Sequence, residues 1–220
     1  MSGVLEQVLD LVYPPKCPFC RGLLSEPGQR TCQSCRTSLA SGHAGTRQGD
    51  WFSGCFYALA YEDTVREAIL RFKFEGCRYY AKAFGQLLAD CIREKSPPFE
   101  VLSWAPVSRE RRRQRGYDQS WLLCREVGRI LGVRPVRTLE KARNNPPQSG
   151  LTGLRERQEN VKNVYRVPDP EQVEGKRVLL IDDIVTTGST VSACSRALLQ
   201  AGAESVWCAV LAGTVPDDAT

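Results

Sequence analysis

The amino-acid sequence predicts an α/β fold, in which a parallel sheet is flanked by helices and a small cysteine-rich module precedes the sheet. From Trp51 onward, segments typical of strands alternate with segments typical of helices. Two largely apolar segments, RVLLID (177–182) and SVWCAVLA (205–212), enclose a helical segment, STVSACSRALLQAGA (189–203). Consecutive apolar residues indicate strands that are buried on both faces, which is typical of the parallel strands of a β-α-β unit.

The other segments follow in chain order. The apolar residues between Val4 and Val12 predict a short amphipathic helix that ends at Pro14 and Pro15. Strands are predicted at 54–62 and 100–107. Helices are predicted at 63–76, at 81–94 and at 119–132, where Gly132 ends the last one. The arginine-rich stretch 108–116 between them is predicted to be a loop.

Length and composition predict one large domain with a small appendage. The chain has 220 residues, enough to bury a core of its own. A glycine-rich polar stretch separates the predicted units, residues 1–45 and residues 46–220. The first residues include acids and lack a basic region, so we expect no signal peptide and a cytoplasmic protein. No stretch approaches the roughly 18 apolar residues of a membrane span, so we expect no membrane insertion.

Four cysteines of the first unit have the spacing of a zinc site. Cys17, Cys20, Cys32 and Cys35 form two C-x2-C pairs separated by a short, turn-rich segment. Each pair presents two sulfurs from one tight turn, and two pairs complete a tetrahedral set of four ligands. The pattern predicts a structural zinc ribbon or knuckle whose folding depends on the metal.

The basic residues are concentrated in one stretch. The net charge is only +5, yet SRERRRQRG (108–116) contains five arginines. Such a cluster favours a partner that bears phosphate, either a small metabolite or a nucleic acid. A solvated helix face is the alternative interpretation.

The segment VLLIDDIVTTGST (178–190) predicts a second site. Its apolar strand ends in Asp182 and Asp183, at the edge where open parallel sheets bind ligands. The loop that follows leads into a helix and contains small and hydroxyl-bearing residues suited to a phosphate: Thr186, Thr187, Gly188, Ser189 and Thr190. Carboxylates repel phosphate but suit sugar hydroxyls or a metal. A sugar 5-phosphate with free 2- and 3-hydroxyls therefore fits both the acid pair and the hydroxyl loop.

Two other interpretations of this segment fit its residues less well. An acidic strand end also occurs in nucleotide hydrolases, but those need a G-x-x-x-x-G-K-[ST] loop, which this sequence lacks. A helix that is simply capped by Ser189 or Thr190 leaves the adjacent acids unexplained.

The same segment resembles the binding motif for 5-phosphoribosyl 1-pyrophosphate (PRPP) of type I phosphoribosyltransferases. The paired cysteines, LRFKFEG, RRRQRGYDQS, PQSGLTGLRERQENVKNVY and the acid-pair motif follow in an order that resembles the ComF family of phosphoribosyltransferase-like proteins. The resemblance runs from about residue 14 to about residue 212. The chain departs from it at Asp118, where members usually have asparagine, and the added negative charge is expected to weaken anion binding nearby.

The resemblance implies roles for individual residues. Asp182 and Asp183 would bind the ribose hydroxyls, with magnesium bridging ribose and pyrophosphate, and the hydroxyl loop would hold the 5-phosphate. Ser108 and Arg109, with Arg113 or Arg115, would take the pyrophosphate, and Lys73 would be either a further anion contact or a surface lysine. The zinc module and residues 144–163 would cover the acceptor.

The resemblance also implies two alternative functions. The first is an enzyme that transfers phosphoribosyl from PRPP to an acceptor that the sequence does not name, in connection with competence and DNA uptake. The second is an accessory protein without turnover that binds PRPP or single-stranded DNA and acts with DNA-uptake proteins.

Overall fold

A computed structural model of the chain describes residues 15–24, 26, 28–40, 45–141 and 164–214. Its strands are β1 (Gly45–Arg47), β2 (Gly54–Ala60), β3 (Val101–Trp104), β4 (Glu140–Lys141), β5 (Tyr165–Arg166), β6 (Arg177–Val185) and β7 (Ser205–Gly213). Five of them form one sheet in the order β1-β2-β7-β6-β3, and β4 pairs with β5 in a separate antiparallel ribbon. Within the large sheet only β1 is antiparallel to its neighbour. The predicted parallel sheet is therefore confirmed, with an antiparallel edge strand added.

Several helices of the described residues flank this sheet. The described helices are α1 (Gln33–Ala40), α2 (Asp63–Phe74), α3 (Tyr80–Lys95), α4 (Arg109–Arg115), α5 (Gln119–Leu131) and α6 (Ser189–Gln200), with a 3₁₀ turn at Pro170–Gln172. Gly132, with φ +72°, ends α5 as predicted. The β6-α6-β7 unit is the β-α-β unit that the sequence predicts.

Both faces of the sheet are buried, which explains the near-continuous apolar strands. On β6, Leu179 and Ile181 belong to a cluster with residues of α2, α3 and α5, such as Phe72 and Leu123. Val178 and Leu180 alternate with them and pack in a second cluster with residues of α6, such as Leu198. Because period-two alternation puts successive side chains on opposite faces, apolar residues are needed at every position.

The prediction of a loop at the arginine cluster was wrong, because residues 109–115 form helix α4. The Ser108 side chain accepts a hydrogen bond from the Arg111 backbone N–H at 3.2 Å, and Gly116, with φ +76°, ends the helix. These caps satisfy backbone groups at both ends of a helix that has no buried residue of its own. The helical geometry places Arg111 and Arg115 on one face, one turn apart.

The cysteine module packs against the sheet domain. Cys17, Phe19 and Leu24 belong to the same buried cluster as Phe72 and Phe84, and the Phe19 and Phe84 ring centroids are 5.8 Å apart. The division into residues 1–45 and 46–220 stays a prediction. The helix expected before Pro14 and the cover segment 144–163 lie outside the described residues.

Among the described residues, no helix is both long and apolar enough to cross a membrane. The cytoplasmic location stays a prediction.

Candidate functional site

The candidate site lies near the carboxyl ends of two neighbouring parallel strands. Strand β6 continues to Val185, so it does not end at the acid pair as predicted, and both aspartates lie within its last residues. Strands β3 and β6 are paired with Trp104 opposite Ile181, and the Ala105 N–H donates to the Ile181 carbonyl at 2.9 Å. Residues 105–108 therefore leave the sheet beside Asp182 and Asp183. This is the edge at which open α/β sheets bind ligands.

The two aspartates are buried and differently bonded. Their exposed fractions are 6% for Asp182 and 7% for Asp183. Asp182 Oδ1 accepts hydrogen bonds from Ser120 Oγ and from the Asp183 N–H, each at 2.9 Å. Asp183 Oδ1 pairs with Lys73 Nζ at 2.9 Å. Lys73 is thus not a surface lysine, and among the described residues only Asp183 of the two acids has a cationic partner in direct contact.

Burial, together with the charge of neighbouring Asp183, raises the pKa of Asp182 to about 7. Between about pH 4 and this value, the folded protein keeps a proton that the unfolded chain has lost. The free energy of unfolding of the ligand-free protein should therefore fall as the pH rises through this window. Denaturant unfolding at pH 5 and pH 8 measures the fall. Asp182→Asn should reduce it, leaving only what other buried carboxyls such as Asp118 contribute, whereas Asp50→Asn, at an exposed carboxylate, should leave it unchanged.

The hydroxyl loop connects β6 to α6. Gly188, with φ +79°, occupies the N-cap of α6, so neither Ser189 nor Thr190 caps this helix. Thr187 Oγ1 and Ser189 Oγ are 2.8 Å apart. The side chains of Thr186, Thr187, Ser189 and Thr190 are exposed, and Gly188 is buried. Hydroxyls and helix N–H groups thus meet at the positive end of the α6 dipole.

An arginine that sequence reasoning missed lies behind this loop. Arg47 of edge strand β1 donates to the Thr214 carbonyl at 3.1 Å and to Thr214 Oγ1 at 3.0 Å. Thr214 in turn donates its N–H to Val185 O and its hydroxyl to Thr186 O. A Cβ atom on Gly188 would lie 3.7 Å from Arg47 Cδ. Strand β1 therefore places a cation against the loop.

One cavity of about 260 Å³ lies between the acid pair, the hydroxyl loop and helix α4. Its wall includes both aspartates together with Ser120, Thr186 and Thr190. The cations in the wall are Lys73, Arg111, Arg115 and Lys141. The cavity therefore combines a carboxylate pair, hydroxyls and several positive charges.

The predicted pyrophosphate residues are only partly brought together here. Arg115 lines the cavity, but Ser108, Arg109 and Arg113 are not among its wall residues. Ser108 is buried as the cap of α4, and Arg109 and Arg113 are exposed. The helix turns Arg111 into the wall instead. A helical interpretation of 109–115 would have offered two arginine pairs at four-residue spacing, 109/113 and 111/115, but only the tertiary structure shows which pair faces the cavity.

Two residues of the β4–β5 ribbon also line the cavity. Lys141 Nζ lies 5.1 Å from the centroid of the Tyr165 ring, and burial lowers the pKa of this lysine. Both residues are in the cavity wall. No motif of the sequence indicated them, because their position depends on the pairing of β4 with β5.

Asp118 connects the loop after β3 to helix α5. Its Oδ1 accepts from the Trp121 N–H at 3.0 Å, and its Oδ2 accepts from the Val107 N–H at 3.3 Å. Burial raises the pKa of this carboxyl. An asparagine has a single acceptor oxygen and could not reproduce this two-oxygen pattern. The acid thus has a structural role, and the expected weakening of anion binding stays a prediction.

The four cysteines of the module form a compact cluster. All four Sγ atoms lie within 4.8 Å of one another, and those of Cys20 and Cys32 are 3.6 Å apart. Tetrahedral zinc with bonds of about 2.3 Å requires sulfurs roughly 3.8 Å apart. The Gly22 N–H points to Cys20 Sγ and the Cys35 N–H to Cys32 Sγ, each at 3.4 Å. The donor set therefore fits one structural zinc ion.

Comparison with known protein families agrees with both parts of the structure. Residues 120–219 match the family described as phosphoribosyl transferase domain, and residues 8–50 match the double zinc ribbon domain. The first match covers β6, the hydroxyl loop and α6. The second covers all four cysteines, which supports structural zinc.

Several proteins resemble the chain in sequence. Competence protein F of Haemophilus influenzae is 26% identical over 217 residues, which cover 87% of this chain and 93% of that protein. Competence protein ComFC of Bacillus subtilis is 28% identical over 81% of this chain and 82% of its own length. DNA utilization protein YhgH of Escherichia coli O6:H1 is 37% identical, but over only 50% of this chain and 48% of its own length.

Among solved structures, the allosteric regulatory enzyme of purine biosynthesis aligns with 60% of this chain and 26% of its own chain, at 21% identity and a TM-score of 0.44. The chain has a type I phosphoribosyltransferase-like fold behind an N-terminal double zinc ribbon, and it is similar to competence proteins of the ComF family over most of their length.

Proposed function

We propose that the protein binds PRPP with magnesium in the cavity at the end of β3 and β6, and transfers its phosphoribosyl group to an acceptor with release of pyrophosphate. The observation that supports this most strongly is the cavity itself. Two buried carboxylates, the first and last threonines of the hydroxyl loop (Thr186 and Thr190) and two arginines one turn apart line a single space, whereas Thr187, Gly188 and Ser189 are not among its wall residues. PRPP has a matching set of groups, namely ribose hydroxyls, a 5-phosphate and a pyrophosphate.

The proposal gives each part of the cavity one role. Asp182 and Asp183 hold the ribose hydroxyls, and residues 186–190 hold the 5-phosphate. Arg111 and Arg115, with Lys141, take the pyrophosphate, since guanidinium groups match phosphate oxygens in bidentate fashion. Ser108 acts indirectly, by capping the helix that presents both arginines.

Magnesium fits the donor set, because it prefers carboxylate oxygens and phosphate oxygens together. When bound, it would neutralise charge on the pyrophosphate as the leaving group departs. The residues of the chain itself bind and orient the ribose and stabilise the departing anion. The transition state resembles an oxocarbenium ion, so positioning and electrostatic stabilisation are sufficient and no covalent nucleophile is required.

Gly188 offers a test of the phosphate loop. Gly188→Ala should lower the free energy of unfolding by about 1–2 kcal/mol, because L-residues disfavour φ +79°. It should also weaken PRPP binding, since the loop must shift to relieve the strain. Gly175→Ala, at φ +63° and with open space around it, is the matched control. It should destabilise similarly without affecting PRPP, as judged by thermal melting and by titration.

A second candidate function is binding of single-stranded DNA without turnover. The observation that favours it is that Arg109, Arg112 and Arg113 are exposed on α4 outside the cavity wall. The names of the relatives refer to competence and DNA utilisation. In this function the three arginines would contact the phosphodiester backbone, and the protein would act together with other proteins of DNA uptake.

Turnover and salt dependence distinguish the two functions. An enzyme releases pyrophosphate from PRPP in the presence of magnesium and a suitable acceptor, and Asp183→Asn abolishes this release. A DNA-binding protein shows affinity for an oligonucleotide that falls steeply between 50 and 200 mM salt, as counterion release requires. Arg109→Gln with Arg113→Gln should reduce that slope and leave PRPP binding unchanged.

A further inference from the structure

The last turn of α2 connects three parts of the molecule. Its consecutive residues Arg71, Phe72 and Lys73 contact the cysteine module, the segment after the arginine helix, and the acid pair, respectively. Within one helical turn, the backbone fixes these residues relative to one another. The three contacts are therefore held by one turn of the helix.

Arg71 contacts the turn that holds the first cysteine pair. Its guanidinium donates to Pro18 O at 2.9 Å and to Phe19 O at 3.1 Å, and these residues lie between Cys17 and Cys20. The arginine is only 8% exposed, and its charge is paired with Glu67 at 3.3 Å. A buried guanidinium needs such acceptors, because a buried donor without a hydrogen bond destabilises the fold by more than a solvent-exposed hydrogen bond stabilises it.

Phe72 fixes the middle of this turn. Its carbonyl accepts a hydrogen bond from the Tyr117 hydroxyl, and Tyr117 follows Gly116 at the end of the arginine helix. The Phe72 ring lies edge-on to Phe84 at 5.4 Å, and Phe84 also packs against Phe19 of the cysteine module. The turn is thus held by packing as well as by hydrogen bonds.

Lys73 is the end of this connection at the site. Its ammonium group lies 2.9 Å from Asp183 Oδ1, and both side chains are largely buried. The position of Lys73 decides how the charge of Asp183 is balanced. The turn formed by residues 17–20, called the zinc turn below, is therefore connected to the acid pair through Arg71 and Lys73, the two neighbours of Phe72.

We propose that the zinc turn sets the affinity of the acid pair for its ligand through Arg71, which acts as a positioning residue for Lys73. This inference rests on the proposed PRPP function. With zinc bound, the turn 17–20 presents its carbonyls to Arg71 and holds the end of α2. When the metal is lost, Arg71 loses its acceptors, the last turn of α2 loosens, and Lys73 no longer balances Asp183.

The test compares matched arginine variants of the zinc-loaded protein. Arg71→Gln should keep one zinc per chain and weaken binding of PRPP with magnesium about tenfold, as loss of a supporting contact commonly does. Arg66→Gln, on the exposed face of the same helix, should bind like wild type. Arg71→Lys, which keeps one charged donor, serves in place of Arg71→Gln if that variant does not fold.

A double-mutant cycle identifies the route. If Arg71 acts through Lys73, Arg71→Gln should add almost nothing to the loss caused by Lys73→Met. Additive losses would overturn the proposal, as would wild-type affinity in a folded Arg71→Gln protein.

A second readout needs no ligand. Removing zinc from the ligand-free wild type should speed amide exchange at Phe72–Glu75 by about tenfold or more, because these amides would then open locally. Unchanged exchange there would overturn the proposal even if PRPP did not bind. A wild type that binds no PRPP but shows this exchange response would contradict the proposed function alone.

Discussion

Asp183→Asn is expected to abolish binding of PRPP with magnesium and to lower the free energy of unfolding by about 3 kcal/mol. The structural reason is Lys73, whose ammonium lies 2.9 Å from Asp183 and whose side chain is only 14% exposed. Removing the carboxylate leaves a buried charge without its partner. Chemical denaturation at pH 8 measures the change in stability, and titration measures the loss of binding.

Asp182→Asn is the matched control for this prediction. It should also prevent PRPP binding, yet it should stabilise the ligand-free protein at pH 8. No cation of the described part of the chain contacts Asp182, and an asparagine oxygen can still accept the bonds from Ser120 and the Asp183 N–H. We therefore expect the change in the free energy of unfolding at pH 8 to have opposite signs in the two variants. Equal destabilisation would mean that Lys73 does not distinguish the two acids.

Cys20→Ser is expected to abolish stoichiometric zinc binding and to lower the melting temperature by about 10–15 °C. A three-cysteine site holds zinc weakly, and the module has little core of its own. Unfolding of the module also exposes the part of the main core against which Phe19 and Leu24 pack. Metal analysis and thermal melting measure the two effects.

Cys77→Ser provides the control for the zinc prediction. Cys77 is a half-buried free cysteine outside the quartet, so its replacement tests the loss of a thiol alone. It should keep one zinc per chain and shift the melting temperature by only a few degrees. A similar fall in both variants would show that zinc does not explain the stability of the module.

The β6-α6-β7 unit and the cysteine cluster were predictable because their signals are local. A strand buried on both faces requires consecutive apolar residues, and zinc requires paired thiolates at short spacing. The acid pair and hydroxyl loop belong to the same continuous segment. Their position at the edge of the sheet follows from the direction of β6.

The arginine helix shows where such local signals mislead. Five arginines without an apolar face predict a loop, because most helices are stabilised by packing. Here Ser108 and Gly116 cap both ends. The helix then selects Arg111 and Arg115 for the cavity, which a loop interpretation cannot do.

Other parts of the site depend on contacts between distant segments. Arg47 reaches the hydroxyl loop only because β1 pairs antiparallel with β2 at the edge of the sheet. Lys73 and Arg71 acquire their roles only when α2 packs between the zinc turn and β6. No residue spacing in the sequence predicts these contacts, since each forms only in the tertiary fold.

The central claim is a magnesium-dependent PRPP site at the acid pair, and calorimetric titration tests it most directly. PRPP is titrated with magnesium into wild type and into the double variant Asp182→Asn/Asp183→Asn. Wild type should show saturable heat with one site per chain that disappears when magnesium is chelated, and the double variant should show none. No heat from folded, zinc-loaded wild type, or equal binding by the double variant, would contradict the account.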